Sequence, residues 1–96
     1  MNLFEYEAPV AGEQSEKLLE DGCVEIVRIV SGEVEEQRFC DDRDEWVVLL
    51  KGSAVIEMEE EIKMRAGDML YIPAGKEHLL KKVEPGSLWL AIHIKK

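Results

Sequence analysis

The chain has 96 residues, with 21 acidic and 12 basic side chains and a formal net charge of −9 at pH 7. This length indicates one domain with a small core. The negative charge argues against nucleic acid or an anionic membrane as a partner, because both require a positive surface. The sequence has no apolar run of membrane-spanning length and no signal-peptide pattern over its first ten residues, so we expect a cytoplasmic protein.

The first part of the chain predicts an arm rather than a core element. Residues 1–12 carry a few apolar side chains among acids and are typical of an extended segment that lies on the main body. Residues 13–21 are compatible with either one helical turn or an edge strand, and Asp21-Gly22 is a turn signal. We therefore expect an N-terminal arm over residues 1–21 and a barrel domain over residues 22–96.

Short apolar runs separated by Gly, Pro and Asp turns follow, and they predict strands. Cys23 opens the first run and is expected to be a small buried thiol. The turn from Glu84 to Ser87 predicts a hairpin of the last two strands. This pattern, with no amphipathic helix, indicates an all-β sandwich or barrel, but periodicity does not choose among immunoglobulin-like, OB-like and jelly-roll forms.

One stretch, residues 67–78, is more specific. Gly67 opens a turn, a short strand follows, and Pro73-Ala74-Gly75 ends that strand before His78 begins the next. This spacing resembles the second motif of the cupin superfamily, in which the histidine is commonly a metal ligand. Lys82 stands where that motif has an asparagine.

The resemblance covers roughly residues 22–94 and implies an all-β cupin jelly roll, a double-stranded β-helix barrel. The first cupin motif contains His-x-His and a glutamate between two glycines. Here Arg38 and Cys40 stand at the two histidine positions, between Gly32 and Gly52, while Glu45 keeps the glutamate position.

The resemblance implies a candidate metal site. Glu45 and His78 match two of the usual ligands, and a thiolate at Cys40 could be a third for Zn, Fe, Mn or Ni. The ending Trp89 to His93 is similar to that of small cupins, and the predicted hairpin would place His93 near His78. Cys40 is equally compatible with a buried structural thiol.

Two functions follow from these residues. In the first, a metal held by Glu45, His78, Cys40 and His93 binds a small ligand, with Arg38 orienting an anion and Tyr71 lining the pocket. Such a protein could be an isomerase, dioxygenase or decarboxylase, since the fold hosts many reactions. In the second, a metal-free binding or sensor module has an Arg38–Glu45 pair in place of the ion. In both, we expect a homodimer.

Overall fold

The computed structural model describes residues 1–96. It contains nine strands: β1 (Glu13–Asp21), β2 (Val24–Ser31), β3 (Gln37–Phe39), β4 (Asp44–Lys51), β5 (Ser53–Glu57), β6 (Glu61–Arg65), β7 (Met69–Ile72), β8 (His78–Val83) and β9 (Leu88–Ile94). It contains no helix that is long and apolar enough to cross a membrane.

The strands form two antiparallel sheets. One sheet has the order β1-β2-β9-β4-β7, and the other has the order β3-β8-β5-β6. Apart from β1–β2 and β5–β6, every connection between successive strands carries the chain from one sheet to the other. This topology confirms the predicted all-β jelly roll.

The predicted hairpin of the last two strands is wrong. Strand β8 pairs with β3 and β5, whereas β9 lies in the other sheet between β2 and β4. The turn between them bridges the two sheets: the Glu84 N–H donates to the Ser53 carbonyl, and the Ser31 N–H donates to the Ser87 carbonyl. Because of this crossing, His93 aligns with residues of β2 and β4 rather than with His78.

The core lies between the two sheets. Alternation along β4 turns Val47 and Leu49 inward, where Leu49 is fully buried, and leaves Trp46 and Val48 on the outer face, half-buried. Complete burial of a leucine side chain contributes roughly 1.5–3 kcal/mol. The inward residues of both sheets form one cluster: Val47, Leu49, Ala54, Ile56, Met64, Ile72, Leu80, Val83, Trp89 and Ala91.

The arm lies against the outside of β2. The Arg28 guanidinium donates to the carbonyl oxygens of Leu3 and Glu5, at 3.3 and 3.1 Å. A Cβ atom added at Gly32 would lie 2.2 Å from the carbonyl oxygen of Pro9, so the close approach of the arm requires glycine there. These contacts explain how the arm is held on the body of the protein.

Residues 13–21, which the sequence left open, form the edge strand β1 and pair along β2. The arm and barrel boundary predicted at residue 21 stays a prediction. The burial expected for Cys23 is wrong, because the residue lies in the β1–β2 turn and is exposed.

Candidate functional site

A cavity of about 90 Å³ lies between the two sheets. Apolar side chains make up most of its wall, together with two carboxylates and one imidazole. The lining residues are Glu13, Ile29, Phe39, Glu45, Val47, Ile56, Ile72, His78, Leu80 and Trp89. A concave, largely apolar site with a few convergent polar groups is typical of small-molecule binding.

His78 reaches the cavity because a fixed turn ends directly before it. The Ala74 N–H donates to Asp44 Oδ1 at 2.8 Å, and the Gly75 N–H donates to the Asp41 carbonyl at 2.8 Å. Gly75 has a φ of 79°, which glycine adopts without strain. Asp44 is 4% exposed, so the carboxylate that holds this turn is itself part of the buried structure.

The imidazole of His78 stacks on the ring of Phe39. Their centroids are 5.6 Å apart and their planes differ by 21°. Nδ1 of His78 lies 3.4 Å from the Lys76 carbonyl oxygen, a long contact at the edge of hydrogen-bond range. The ring is therefore oriented mainly by stacking, which leaves its polar edge available to a ligand.

Glu45 is paired with His93. The two residues are directly opposite each other on β4 and β9, and Nε2 of His93 lies 2.6 Å from Oε2 of Glu45. The hydrogen bond to Glu45 raises the pKa of His93 above its ordinary value, although burial opposes the shift. Nδ1 of His93 is buried without a hydrogen-bond partner and lies 3.8 Å from the Glu25 carboxylate.

Glu13 enters the cavity from the edge strand β1. Its Oε2 accepts a hydrogen bond of 2.7 Å from the Ser31 hydroxyl, and Ser31 Oγ accepts one of 3.1 Å from Trp89 Nε1. Burial raises the pKa of Glu13; the Ser31 hydrogen bond opposes this and the charge of Glu45 adds to it. Sequence reasoning missed Glu13 because β1 has no apolar alternation that would reveal its inward face.

Two of the predicted site residues, Arg38 and Cys40, lie away from this cavity. Arg38 is exposed, and its guanidinium pairs with Glu77 at 2.9 Å, so the expected Arg38–Glu45 pair is not formed. Cys40 is exposed, directly after β3. In β3 it is Phe39 that faces inward, and strand alternation turns its neighbours on both sides outward.

Tyr71 also faces away from the cavity. It is 49% exposed, while the next residue, Ile72, is buried and lines the cavity. The expectation that Tyr71 lines the pocket is therefore not met, because the inward position of β7 belongs to its neighbour. Tyr71 instead pairs with Trp46 on the outside of the five-stranded sheet.

The predicted metal ligands do not fit together as a metal site. No group of three or more His, Cys, Asp or Glu side chains has the geometry to hold an ion. Cys40 is outside the cavity, and the Glu45 carboxylate already accepts a short hydrogen bond from His93. The hydrogen bond to Glu45 raises the pKa of His93, and this favours a protonated imidazole, which cannot ligate a metal through Nε2.

The antiparallel jelly roll with a cavity between its sheets defines a small double-stranded β-helix protein. A family model described as "Cupin domain" matches residues 25–92, so the chain belongs to the cupin family. A search of curated proteins gave no match.

Solved structures agree with this family. A Ralstonia eutropha JMP134 protein, provisionally named a mannose-6-phosphate isomerase, is 33% identical over 100% of this chain and 97% of its own, with a TM-score of 0.84. A cupin superfamily protein of Desulfitobacterium hafniense DCB-2 is 22% identical over 98% and 87%, with a TM-score of 0.75. A Streptococcus pyogenes protein of unknown function is 22% identical over 100% and 86%, with a TM-score of 0.78. The last two show the fold alone.

Proposed function

We propose that the barrel cavity binds a small, uncharged polar molecule directly, without a metal ion. The observation that carries this proposal is the convergence of Glu13, Glu45 and His78 on one otherwise apolar cavity. Such a wall excludes water from the apolar part of a ligand, and its few polar groups fix the ligand's orientation.

Size and charge restrict the ligand. A volume of about 90 Å³ is below the roughly 300–1,000 Å³ of typical sites for drug-sized molecules. The polar lining includes two carboxyl groups, and the cation expected to hold an anion, Arg38, is paired with Glu77 on the surface. A sugar phosphate, as in the name of the Ralstonia relative, would therefore find no lysine or arginine in the cavity wall to balance its charge.

The proposal and the metal-binding alternative differ in one measurement. If the proposal is right, protein purified without a polyhistidine tag should contain no near-stoichiometric Zn, Fe, Mn or Ni, before or after incubation with each ion and removal of excess. Elemental analysis of the wild type beside His78→Ala checks this. A near-stoichiometric metal that disappears in His78→Ala would contradict the proposal and restore the metal site.

Ligand binding is tested directly with small probes. Dihydroxyacetone and glycerol fit the proposed size and charge, and mannose 6-phosphate does not. In two-dimensional amide NMR spectra, we expect the two small probes to shift cavity resonances saturably, and His78→Ala and Glu45→Gln to weaken binding. Lys63→Ala, an exposed change on β6, is the control.

Two results would contradict this proposal. One is the absence of saturable shifts with both small probes. The other is tight, saturable binding of mannose 6-phosphate at the cavity resonances, because that would require a positive site which Glu13 and Glu45 do not provide.

We also propose that a second copy of the chain covers the outer face of the five-stranded sheet. The outer positions of β4 and β9 include Trp46, Val48, Leu90 and Ile92, all only half-buried and uncharged. In a chain that is 34% charged with a net charge of −9, such a patch is unusual. Two copies related by a two-fold axis would bury these patches against each other without like-charge repulsion.

A further inference from the structure

A buried hydrogen-bond chain ends at the cavity wall. It starts at Trp89, 4% exposed, passes through Ser31, which is fully buried, and ends at Glu13. Its members come from β9, β2 and β1, three adjacent strands of one sheet. These hydrogen bonds therefore fix the position of the Glu13 carboxyl group, which on an edge strand would otherwise be free to move.

The donor and the acceptor in each of these hydrogen bonds are also fixed. An indole N–H can only donate, so Ser31 Oγ accepts from Trp89 and must give its own hydrogen to Glu13 Oε2. One oxygen of Glu13 is thus held as an acceptor inside the protein. The other oxygen, Oε1, is the one left to carry a proton and to meet a ligand.

The second carboxyl group of the cavity, that of Glu45, has a different hydrogen-bond partner. Glu45 Oε2 lies 2.6 Å from His93 Nε2, so this oxygen is already engaged with an imidazole from the neighbouring strand. An ionised carboxylate can only accept hydrogen bonds. Two carboxyl groups in one cavity thus differ through their partners, a neutral hydroxyl for Glu13 and an imidazole for Glu45.

We propose that Glu13 is a ligand-binding residue whose neutral carboxyl group donates a hydrogen bond to a carbonyl oxygen, while Glu45 accepts one from a neighbouring hydroxyl. The ligand class is then a small α-hydroxycarbonyl compound. This assignment rests on the proposed function and names the substrate class of the same cavity. The largely apolar wall around Glu13 and the Glu45 carboxyl group in the same cavity both favour the neutral form, and they raise the pKa of Glu13 although the Ser31 hydrogen bond opposes this.

Dihydroxyacetone and glycerol test the assignment because they share one three-carbon skeleton and differ in the carbonyl group. We expect the wild type to prefer dihydroxyacetone by about 3- to 10-fold, the contribution of one hydrogen bond. Glu13→Met should abolish the preference, because methionine has a similar size and no donor. Glu13→Gln should keep it, because its amide can accept from Ser31 and donate to the carbonyl.

Trp89 provides a second readout. In a Trp46→Phe background, which removes the other tryptophan, dihydroxyacetone should change the emission of Trp89, which lines the cavity and is hydrogen-bonded to Ser31. Ser31→Ala should reduce this change by removing the part that passes through the hydrogen bonds to Glu13. Glu16→Ala is the control, because Glu16 lies on β1 like Glu13 but pairs with Arg28 outside the cavity. It should behave as wild type in both assays.

The outcomes separate this inference from the function on which it rests. If the wild type binds neither probe, the proposed function fails and takes the assignment of Glu13 with it. If the wild type prefers dihydroxyacetone and Glu13→Met keeps that preference, only the assignment of Glu13 is overturned. Should Glu13→Met not fold, Glu13→Ala is judged by the same affinity ratio, which a purely structural role of Glu13 would leave unchanged.

Discussion

The pair of Glu45 and His93 should stabilise the fold in a pH-dependent way. Both side chains are well shielded, 17% and 10% exposed, and their Nε2–Oε2 distance is 2.6 Å. Removing His93 leaves the Glu45 carboxylate partly buried without its partner. We therefore predict that His93→Ala is strongly destabilising and that the loss depends on the charge of the imidazole.

The magnitude follows from this geometry. Breaking a buried ion pair costs about 3–5 kcal/mol, and the remaining water contact of Glu45 favours the lower end, about 3 kcal/mol. For a domain of this size that corresponds to a fall in Tm of about 12–24 °C. The coupling free energy between the two side chains should be about 1.5–3 kcal/mol, the range for hydrogen bonds to charged groups.

The sign of the pH dependence follows from the hydrogen bond to Glu45, which raises the pKa of His93 in the folded state above its ordinary value of 6.5. A raised pKa means that the folded state holds the proton more tightly than the unfolded state. The stabilisation from His93 is then fully present below the unfolded pKa of this residue. It declines as the pH rises through the higher, folded pKa of His93.

A double-mutant cycle measures this coupling. Urea unfolding of wild type, His93→Ala, Glu45→Ala and the double variant gives the coupling free energy at pH 5.5, 7 and 9, with protein concentration held constant. Glu57→Ala, which removes an exposed partner of Lys81, is the control and should stay within about 0.5 kcal/mol of wild type. A coupling below about 0.5 kcal/mol at pH 5.5, or one that does not fall by pH 9, would refute the reasoning.

Three further predictions concern the arm, the outer face and the cavity. Gly32→Ala places a Cβ atom 2.2 Å from the Pro9 carbonyl oxygen, so it should lower the free energy of unfolding in urea by about 1–3 kcal/mol. It should also speed proteolysis within residues 1–12. Unchanged cleavage would contradict the docked arm. Leu90→Asp should convert a dimer to a monomer in analytical ultracentrifugation, and a dimer that persists would show that another face is used. Phe39→His should create a Zn²⁺ site with His78, because their ring centroids are 5.6 Å apart, and calorimetry that finds no zinc binding would argue against that geometry.

Turn chemistry and strand alternation agree over most of the chain, so they predicted the all-β class, whereas the choice of the jelly roll came from the resemblance to cupins. The break at Pro73 to Gly75 was recognised from residue type alone, and the structure has Gly75 at the positive φ that this turn needs. What holds that turn could not be predicted. The Asp44 carboxylate is buried and accepts a hydrogen bond from the Ala74 N–H, 30 residues away in the chain.

The site was harder to predict because its polar partners come from non-adjacent segments. Glu45 was identified, but its partner was expected to be a metal or Arg38, and the structure places His93 there. The error came from the turn between β8 and β9, which has the residues of a hairpin but carries the chain between sheets. Local sequence gives the turn type, whereas the sheet to which the next strand belongs depends on tertiary packing.

The register of β3 explains why motif spacing and structure disagree over Arg38 and Cys40. A strand exposes alternate residues, so a shift of one position exchanges its inward and outward sets. With Phe39 inward, an aromatic ring stacks on His78, and Arg38 keeps its charge in water beside Glu77. The opposite register would bury an unpaired guanidinium, which is far more costly, and expose the phenylalanine ring. Arg38 and Cys40 at the two motif histidine positions thus fit a register in which Phe39 points inward. This register leaves Glu13, Glu45 and His78 as the polar groups of the cavity.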